Sequence, residues 1–456
     1  MTSLTDQLQP DELGRSLLTR HVTMIAIGGI IGAGLFVGSS TTISQVGPAA
    51  AVTFALAGLI IMLVMRLLGE MAAALPGVRS FADFVRIGLG DWAGYLTGWL
   101  YWYFWGVVVA VEALAGAKIL HQWFPLLSEI EIGVGLVALL TGVNLMSARS
   151  YGEFEFWFSL IKVVAIGAFI LIAGGWVLGL APTGQGGFAN WTAHGGFAPF
   201  GWGKVVAAVA STIFTMCGAE IVTVAAAESA EPGVALSRLA LTVTLRLLLF
   251  YVLAIGLIVA VVPWGEVVPG HSPFAAALAK MQVPGGATLM TALILVAVLS
   301  CLNSGIYVTS RALFGLAKFG DAPQWLVRVN RRQVPSRAIV AATLFAYLGL
   351  AAEYFSPDKV FSFLIDSSGV TMLLIYMLVA AAQLRLRARL EREDPAALKL
   401  RLGFHPWGSL IALAAMGGVL VFKALTPDLS SDLWASLLIA GLFMLGWLVF
   451  RRGKVG

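Results

Sequence analysis

Charge is scarce in this chain: 12% of its 456 residues are charged and 59% are hydrophobic, with a mean hydropathy of +0.90. That composition excludes an ordinary soluble domain. Cysteine is scarcer still. Cys217 and Cys301 are the only two, both in apolar segments, so neither a disulfide framework nor a zinc site is indicated and no cofactor is expected. The chain has no phosphate-binding loop, metal-ligand cluster or nucleophile–base spacing, which argues against ATP-driven transport and against an enzyme. Its formal net charge of +5 does not gather into a basic patch, so nucleic acid is not an expected partner. Residues 1–20 are polar and partly acidic, unlike a secretory signal, and insertion is expected to rely on the first apolar segment.

What the chain has instead is apolar runs of about 18 residues or more, each long enough for the roughly 30 Å hydrocarbon core of a bilayer. They predict about twelve spans in an all-α polytopic fold. The first five are His21–Val46, Ala49–Ala74, Trp92–Leu120, Ile132–Met146 and Phe154–Leu180. The next five are Lys204–Ala227, Ser237–Val262, Thr288–Lys318, Ala338–Tyr354 and Phe361–Leu384, followed by Trp407–Leu425 and Leu433–Phe450. The chain then divides into a tail (1–20), a five-helix unit (21–180), a glycine-rich loop (181–203) and a second five-helix unit (204–384). A basic loop (385–406), two accessory helices (407–450) and a short tail (451–456) complete it.

Arginine and lysine gather on one side of this layout. Arg15, Arg20, Arg79, Arg86, Arg149 and Arg238 share it with Arg328, Arg331, Arg332 and Arg337. So do Arg385, Arg387, Arg389, Arg392, Lys399 and Arg401, and then Arg451, Arg452 and Lys454. The other side has little beyond Lys280 and Lys359. The positive-inside rule makes the basic side cytoplasmic, with both termini there.

The stretch MIAIGGIIGAGLFVGS, Met24 to Ser39, carries Gly28, Gly29, Gly32, Gly34 and Gly38. Each glycine costs a helix roughly 1 kcal/mol relative to alanine, so the cluster marks either close helix packing or a break. A break is tolerated in a bilayer only where the freed backbone is buried in protein or lines a cavity. A second small-residue interruption, Cys217-Gly218-Ala219, falls in the first span of the second unit. Interruptions at matching positions of two halves point to inverted repeats with a central site; two unrelated packing contacts are the alternative. With the first span broken at Gly32-Ala33-Gly34, the amides of Ala33 and Gly34 suit a carboxylate, and carbonyls near Ile30 and Phe214 suit an ammonium. Phe214 itself is either a cover for the site or ordinary packing. The expected ligand is a small zwitterion recognised by backbone.

Few charges lie within spans. Lys162, in FWFSLIKVVAIG, costs about 2.5–3.5 kcal/mol or more at depth unless paired or hydrated; it is either a proton carrier or a snorkelling surface lysine. Glu112 lines a cavity, carries a proton or bonds between helices. Glu220 follows the second interruption and ties its backbone together, or acts on substrate or proton; the structural role is favoured. Asn303 and Ser304 serve another helix or the cavity contents. Arg66 and Glu70, four apart, are expected to pair, and Arg246 and Arg311 to serve topology or helix contacts.

GIIGAGLFVGS, YGEFEFWFSLIKV, GAEIVTVAAAES, SCLNSGIYVTSR, GDAP and KVFSFLIDSSG resemble amino acid permeases of the amino acid–polyamine–organocation superfamily across nearly the whole chain. GAEIVTVAAAES and FLIDSSG are most similar to bacterial 4-aminobutyrate (GABA) permeases, although Gly34 stands where that branch has serine. The resemblance implies a leucine-transporter-type fold: a five-plus-five inverted repeat with its first and sixth spans broken, plus two helices. It also implies proton-coupled secondary transport across the bacterial inner membrane, with proton and amino acid as partners and no obligate protein partner. It places Ile30, Ala33 and Gly34, with Phe214 and Cys217, at substrate. Lys162 falls where other members use sodium, and Glu112 on a third-span acid. Import or exchange of another amino acid (aromatic, basic or proline) is the alternative, and an amino acid sensor a weaker one.

Overall fold

The first apolar run does not fold as one helix. In the computed structural model, which describes residues 19–75, 78, 80–146, 148–180, 187–221, 248–356, 359–398 and 400–455, helix α1 (Thr19–Ile30) stops at Ile31 and Gly32. The chain resumes through a π-helical turn, Gly34–Gly38, into α2 (Ser39–Val46); such turns recur at functional sites. The sixth run breaks too. Helices α8 (Trp202–Ala207) and α9 (Val209–Met216) end at Cys217, and Gly218 takes φ of +125°, a backbone region that only glycine enters freely. The two breaks touch. A Cβ on Gly218 would lie 2.9 Å from the carbonyl carbon and oxygen of Gly29, and one on Gly34 would lie 2.9 Å from the Cα of Thr215. Glycine therefore serves both purposes here, close packing and interruption.

Between the breaks lie α3 (Ala50–Ala74), α4 (Phe81–Leu89), α5 (Asp91–Trp123), α6 (Glu129–Asn144) and α7 (Ala148–Val177). After α9 comes α10, described over Leu248–Val261, then α11 (Pro273–Lys280), α12 (Gly286–Lys318) and α13 (Ser336–Phe355). Helices α14 (Lys359–Glu393), α15 (Trp407–Leu425) and α16 (Pro427–Val455) complete the chain. Among the described residues eight helical stretches are long and apolar enough to cross a membrane, and one of them, Thr23–Ala74, holds the first two runs. Serines start several elements: Ser80 caps α4 and Ser272 caps α11, while Ser128 and Glu131 form a capping box on α6, satisfying amides that a helix start leaves unpaired.

Residues 222–247, which include Arg238, Arg246, the inner end of the sixth run and the start of the seventh, lie outside the described residues. So do Arg15, Arg79 and Lys399, and the side chains of Arg20, Arg149, Lys359, Arg451, Arg452 and Lys454.

Among the described residues helices α5 and α12 form the most extensive pair, α1 packs on α7 and α12, and α9 packs on α14 and α3. Trp105, Tyr151 and Tyr307 are fully buried in this interior, whereas Leu171, Leu348, Phe422 and Leu438 face outward on α7, α13, α15 and α16. Large apolar side chains on the outer surface suit a lipid solvent, which is as apolar as they are.

Three differences from the sequence expectation stand out. Helices α4 and α11 occupy stretches expected to connect spans. The basic run from Arg385, expected as a loop, stays helical to Glu393; arginine and glutamate are good helix formers, and Arg389 Nη2 anchors the run by donating to the Ile87 carbonyl at 2.9 Å. The Arg66–Glu70 pair does not form. Arg66 is exposed, whereas Glu70 is buried and accepts from Gln383 Nε2 at 2.6 Å, Arg387 Nη1 at 2.6 Å and the Leu402 amide at 2.7 Å. A buried carboxylate needs that many donors, and α14 with its following loop supplies them. Arg311 is buried with its guanidinium 3.9 Å from the Tyr307 ring centroid.

Candidate functional site

Stopping a helix frees carbonyls that must find other donors. In an unbroken first span the carbonyls of Gly28, Gly29 and Ile30 would face the amides of Gly32, Ala33 and Gly34. Here side chains from three other helices reach them. Lys162 Nζ of α7 donates to Gly28 at 2.7 Å, Cys301 Sγ of α12 contacts Gly29 at 3.5 Å, and the Tyr251 hydroxyl of α10 donates to Ile30 at 2.8 Å. On the other side of the break, the Ala33 amide donates to both oxygens of Glu112, at 2.9 and 3.0 Å. Lys162 is 1% exposed, so it does not reach out to a surface.

The second break is tied in a parallel way. Glu220 Oε2 accepts from the Gly218 amide at 3.1 Å and from the Tyr376 hydroxyl at 3.2 Å, and Cys217 Sγ lies 3.3 Å from the same hydroxyl. The Tyr251 hydroxyl also lies 3.0 Å from the Thr215 carbonyl. One phenol thus bridges the carbonyl ends of α1 and α9, yet it has a single proton to share between them. Those two ends carry the negative poles of their helices. Their convergence gives this backbone an attraction for a cation.

Around the breaks closes a cavity of about 10 Å³, lined by Ile30, Gly32, Gly34, Glu112, Phe214 and Cys217 among others. That is room for about one water, so a larger solute needs the lining side chains to part. Phe214 sits against Phe104 with ring centroids 5.8 Å apart. Ala33 and Gly218 do not line it, their amides being taken up by the Glu112 and Glu220 carboxylates, and Lys162 and Glu220 stand behind the backbone of the breaks. Asn303 does not line it. Its side chain accepts from Asn144 Nδ2 at 2.8 Å and donates to Glu155 Oε1 at 3.4 Å, joining α12 to α6 and α7. Ser304 meets the Tyr151 hydroxyl at 3.0 Å.

Sequence reasoning passed over several of these groups. Glu155 is fully buried, accepts from Ser300 Oγ at 2.7 Å, and interacts electrostatically with Lys162; its place seven residues before Lys162, on the same helix face, was the available signal. Ser159, on that face too, donates to the Met24 carbonyl at 2.8 Å. Gly28 is what lets α7 come so near, since a Cβ there would lie 2.6 Å from Glu155 Oε2. Tyr251, Tyr376 and Trp105 gave no pattern that separates them from packing aromatics.

The family model described as Amino acid permease matches residues 21–454. The chain is 43% identical over 444 residues to the gamma-aminobutyric acid permease of Bacillus subtilis (strain 168), covering 97% of this chain and 95% of that protein. It is 41% identical over 423 residues to the gamma-aminobutyric acid permease of Escherichia coli (strain K12), covering 92% and 90%. An aromatic amino acid transport protein of Corynebacterium glutamicum is 34% identical over 438 residues, with 95% and 94% covered. In fold, the chain resembles a crystal structure of the Eremococcus coleocola manganese transporter, with a TM-score of 0.56 at 12% identity, covering 96% of this chain and 94% of that one. The broken first and sixth runs thus sit in a leucine-transporter-type, all-α arrangement, and the family match extends from the first apolar run into the last helix. On those grounds the chain belongs to the amino acid permeases, as a multi-pass membrane transporter of amino acids.

Proposed function

We propose that this permease is a proton-coupled importer of GABA or a closely related amino acid, working by alternating access in the bacterial inner membrane with both termini cytoplasmic. The observation that carries the reading is the bond from buried Lys162 to the Gly28 carbonyl, at the edge of the first break. The names of the relatives at 41–43% identity support the substrate, and the basic residues of the inner loops support the orientation.

The substrate ammonium is drawn to the carbonyl ends of α1 and α9, and its carboxylate to the amides of Gly32-Ala33-Gly34. Glu112 holds the Ala33 amide until the cavity opens and then yields it. A charged Lys162 grips α1 through Gly28. Losing the proton weakens that charge-assisted bond, frees α1 from α7 and opens the inner path. The movement thus lies within the unit 21–180, α1 against α7, with the unit 204–384 as its inverted counterpart. Glu220 keeps the second break in shape throughout.

The test is uptake of labelled GABA into proteoliposomes with and without an inside-alkaline gradient, against proline, lysine, phenylalanine and β-alanine. Accumulation above equilibrium under the gradient is the expected result. A second reading, transport of an aromatic amino acid, draws on Phe104, Trp105 and Phe214 in the cavity wall; preferential uptake of phenylalanine would establish it. Binding with no net flux would make the protein a sensor and sink both.

A further inference from the structure

A second cavity, of about 510 Å³, shares no lining residue with the first and lies between the end of α4 and the basic end of α14. Its wall includes Gly88, Gly90, Arg385, Arg389, Arg392 and Glu393. The run that reads in sequence as undifferentiated positive charge has two faces here. Arg387 turns inward, to Glu70 and to Glu391 Oε1 at 2.9 Å. Arg385, Arg389 and Arg392, spaced four and three residues apart, share the other face and line the cavity. Arg389 spends one N–H on the Ile87 carbonyl at 2.9 Å, which neutralises the carbonyl end of α4, and Arg392 Nε donates to the Ala388 carbonyl at 3.0 Å. A guanidinium has five N–H donors, so most of theirs remain. Arg385 has no hydrogen-bond partner among the described residues. Among the described residues Glu393 is the one carboxylate on this wall, against three guanidinium groups.

We infer that this cavity binds a phosphate group, that of an anionic phospholipid at the membrane surface. Guanidinium forks match phosphate oxygens in geometry as well as charge. Basic pockets at helix ends, where the apolar part of a span stops, hold anionic headgroups. Helix α14 loses its apolar character at Leu384 and becomes basic from Arg385, so the cavity opens at that boundary. Its volume is ample for a glycerophosphate headgroup. Inorganic phosphate offers the same chemistry and is the other source.

The experiment uses the full chain in phosphatidylcholine vesicles, with spin-labelled phosphatidylglycerol reporting how much lipid is immobilised by the protein. Wild type is expected to prefer phosphatidylglycerol over labelled phosphatidylcholine. The triple variant R385Q/R389Q/R392Q is expected to lose that preference by about fivefold or more. Ala388→Phe, which fills the cavity but keeps every arginine, is expected to lose it as well, and decides the matter if the triple variant does not fold. R328Q/R331Q/R332Q, which removes equal charge elsewhere, is expected to keep it. Displacement of the labelled lipid by millimolar inorganic phosphate would identify the free anion as a second occupant of the same site. Equal losses in the two triple variants, or full preference in Ala388→Phe, would mean a diffuse charged surface and overturn the inference.

Discussion

Lys162 Nζ lies 2.7 Å from the Gly28 carbonyl, one turn before the point where α1 stops. The lysine therefore stands in for the amide that a continuous helix would have supplied. If its proton is the coupling ion, Lys162→Ala will abolish gradient-driven accumulation while leaving exchange of labelled for unlabelled substrate. Both are read in proteoliposomes, and full proton-driven accumulation by the variant would falsify the assignment.

Tyr251 bridges the Ile30 and Thr215 carbonyls with one hydroxyl. Tyr251→Phe keeps the ring and leaves both carbonyls without that donor, at a cost of roughly 1–3 kcal/mol for a buried unpaired group. The expected outcome is a lower melting temperature in detergent and a change in substrate KM of about tenfold, about the same 1.4 kcal/mol scale. An unchanged KM would remove these helix ends from the substrate's path.

Glu70 and Arg66 predict opposite results on one helix. Glu70→Ala takes the buried carboxylate from Arg387, leaving it Glu391 and the Leu402 carbonyl, and breaking a buried pair in this way costs about 3 kcal/mol. Arg66→Ala, on the exposed side, should fall within about 0.5 kcal/mol of wild type. Thermal unfolding of the two variants checks this, and equal shifts would contradict the pairing described.

Gly369 of α14 faces α9 so closely that a Cβ would fall on the Ala210 carbonyl, with the Ser211 Cα only 3.0 Å away. Backbone atoms cannot give way as a flexible side chain can. Gly369→Ala should lower the yield of folded, active protein sharply. Gly417, with open space around its would-be Cβ, provides the contrast: Gly417→Ala should be neutral or stabilising by up to about 1 kcal/mol.

His405, in the loop before α15, has its pKa held below the usual histidine value by burial first and by the nearby Arg387 charge second. The folded state thus favours the neutral ring. Stability from this group is present above the ordinary pKa of about 6.5 and declines as pH falls through it toward the lower folded value. Melting temperatures from pH 7.5 down to about 5.5 should therefore fall more steeply for wild type than for His405→Gln.

Composition and run length determined the all-α membrane fold, because a bilayer admits helices of a set length and little else. The same reasoning located both interruptions, since glycine is conspicuous inside an apolar helix, and it singled out Lys162, Glu112 and Glu220, since a buried charge is too costly to be incidental. Periodicity tells which face of a helix turns inward but is silent on which helix waits there. The donors to the break come from far along the chain: Lys162 is 134 residues from Gly28 and Tyr251 is 221 from Ile30. Glu70 was matched in sequence to its neighbour Arg66, yet its partner is Arg387, 317 residues on. Sequence left Asn303 to another helix or to the cavity contents, and in the fold its side chain bonds Asn144 and Glu155 on two other helices. Local spacing decides what a side chain is able to reach on its own helix; only the packing of helices on one another decides what it meets.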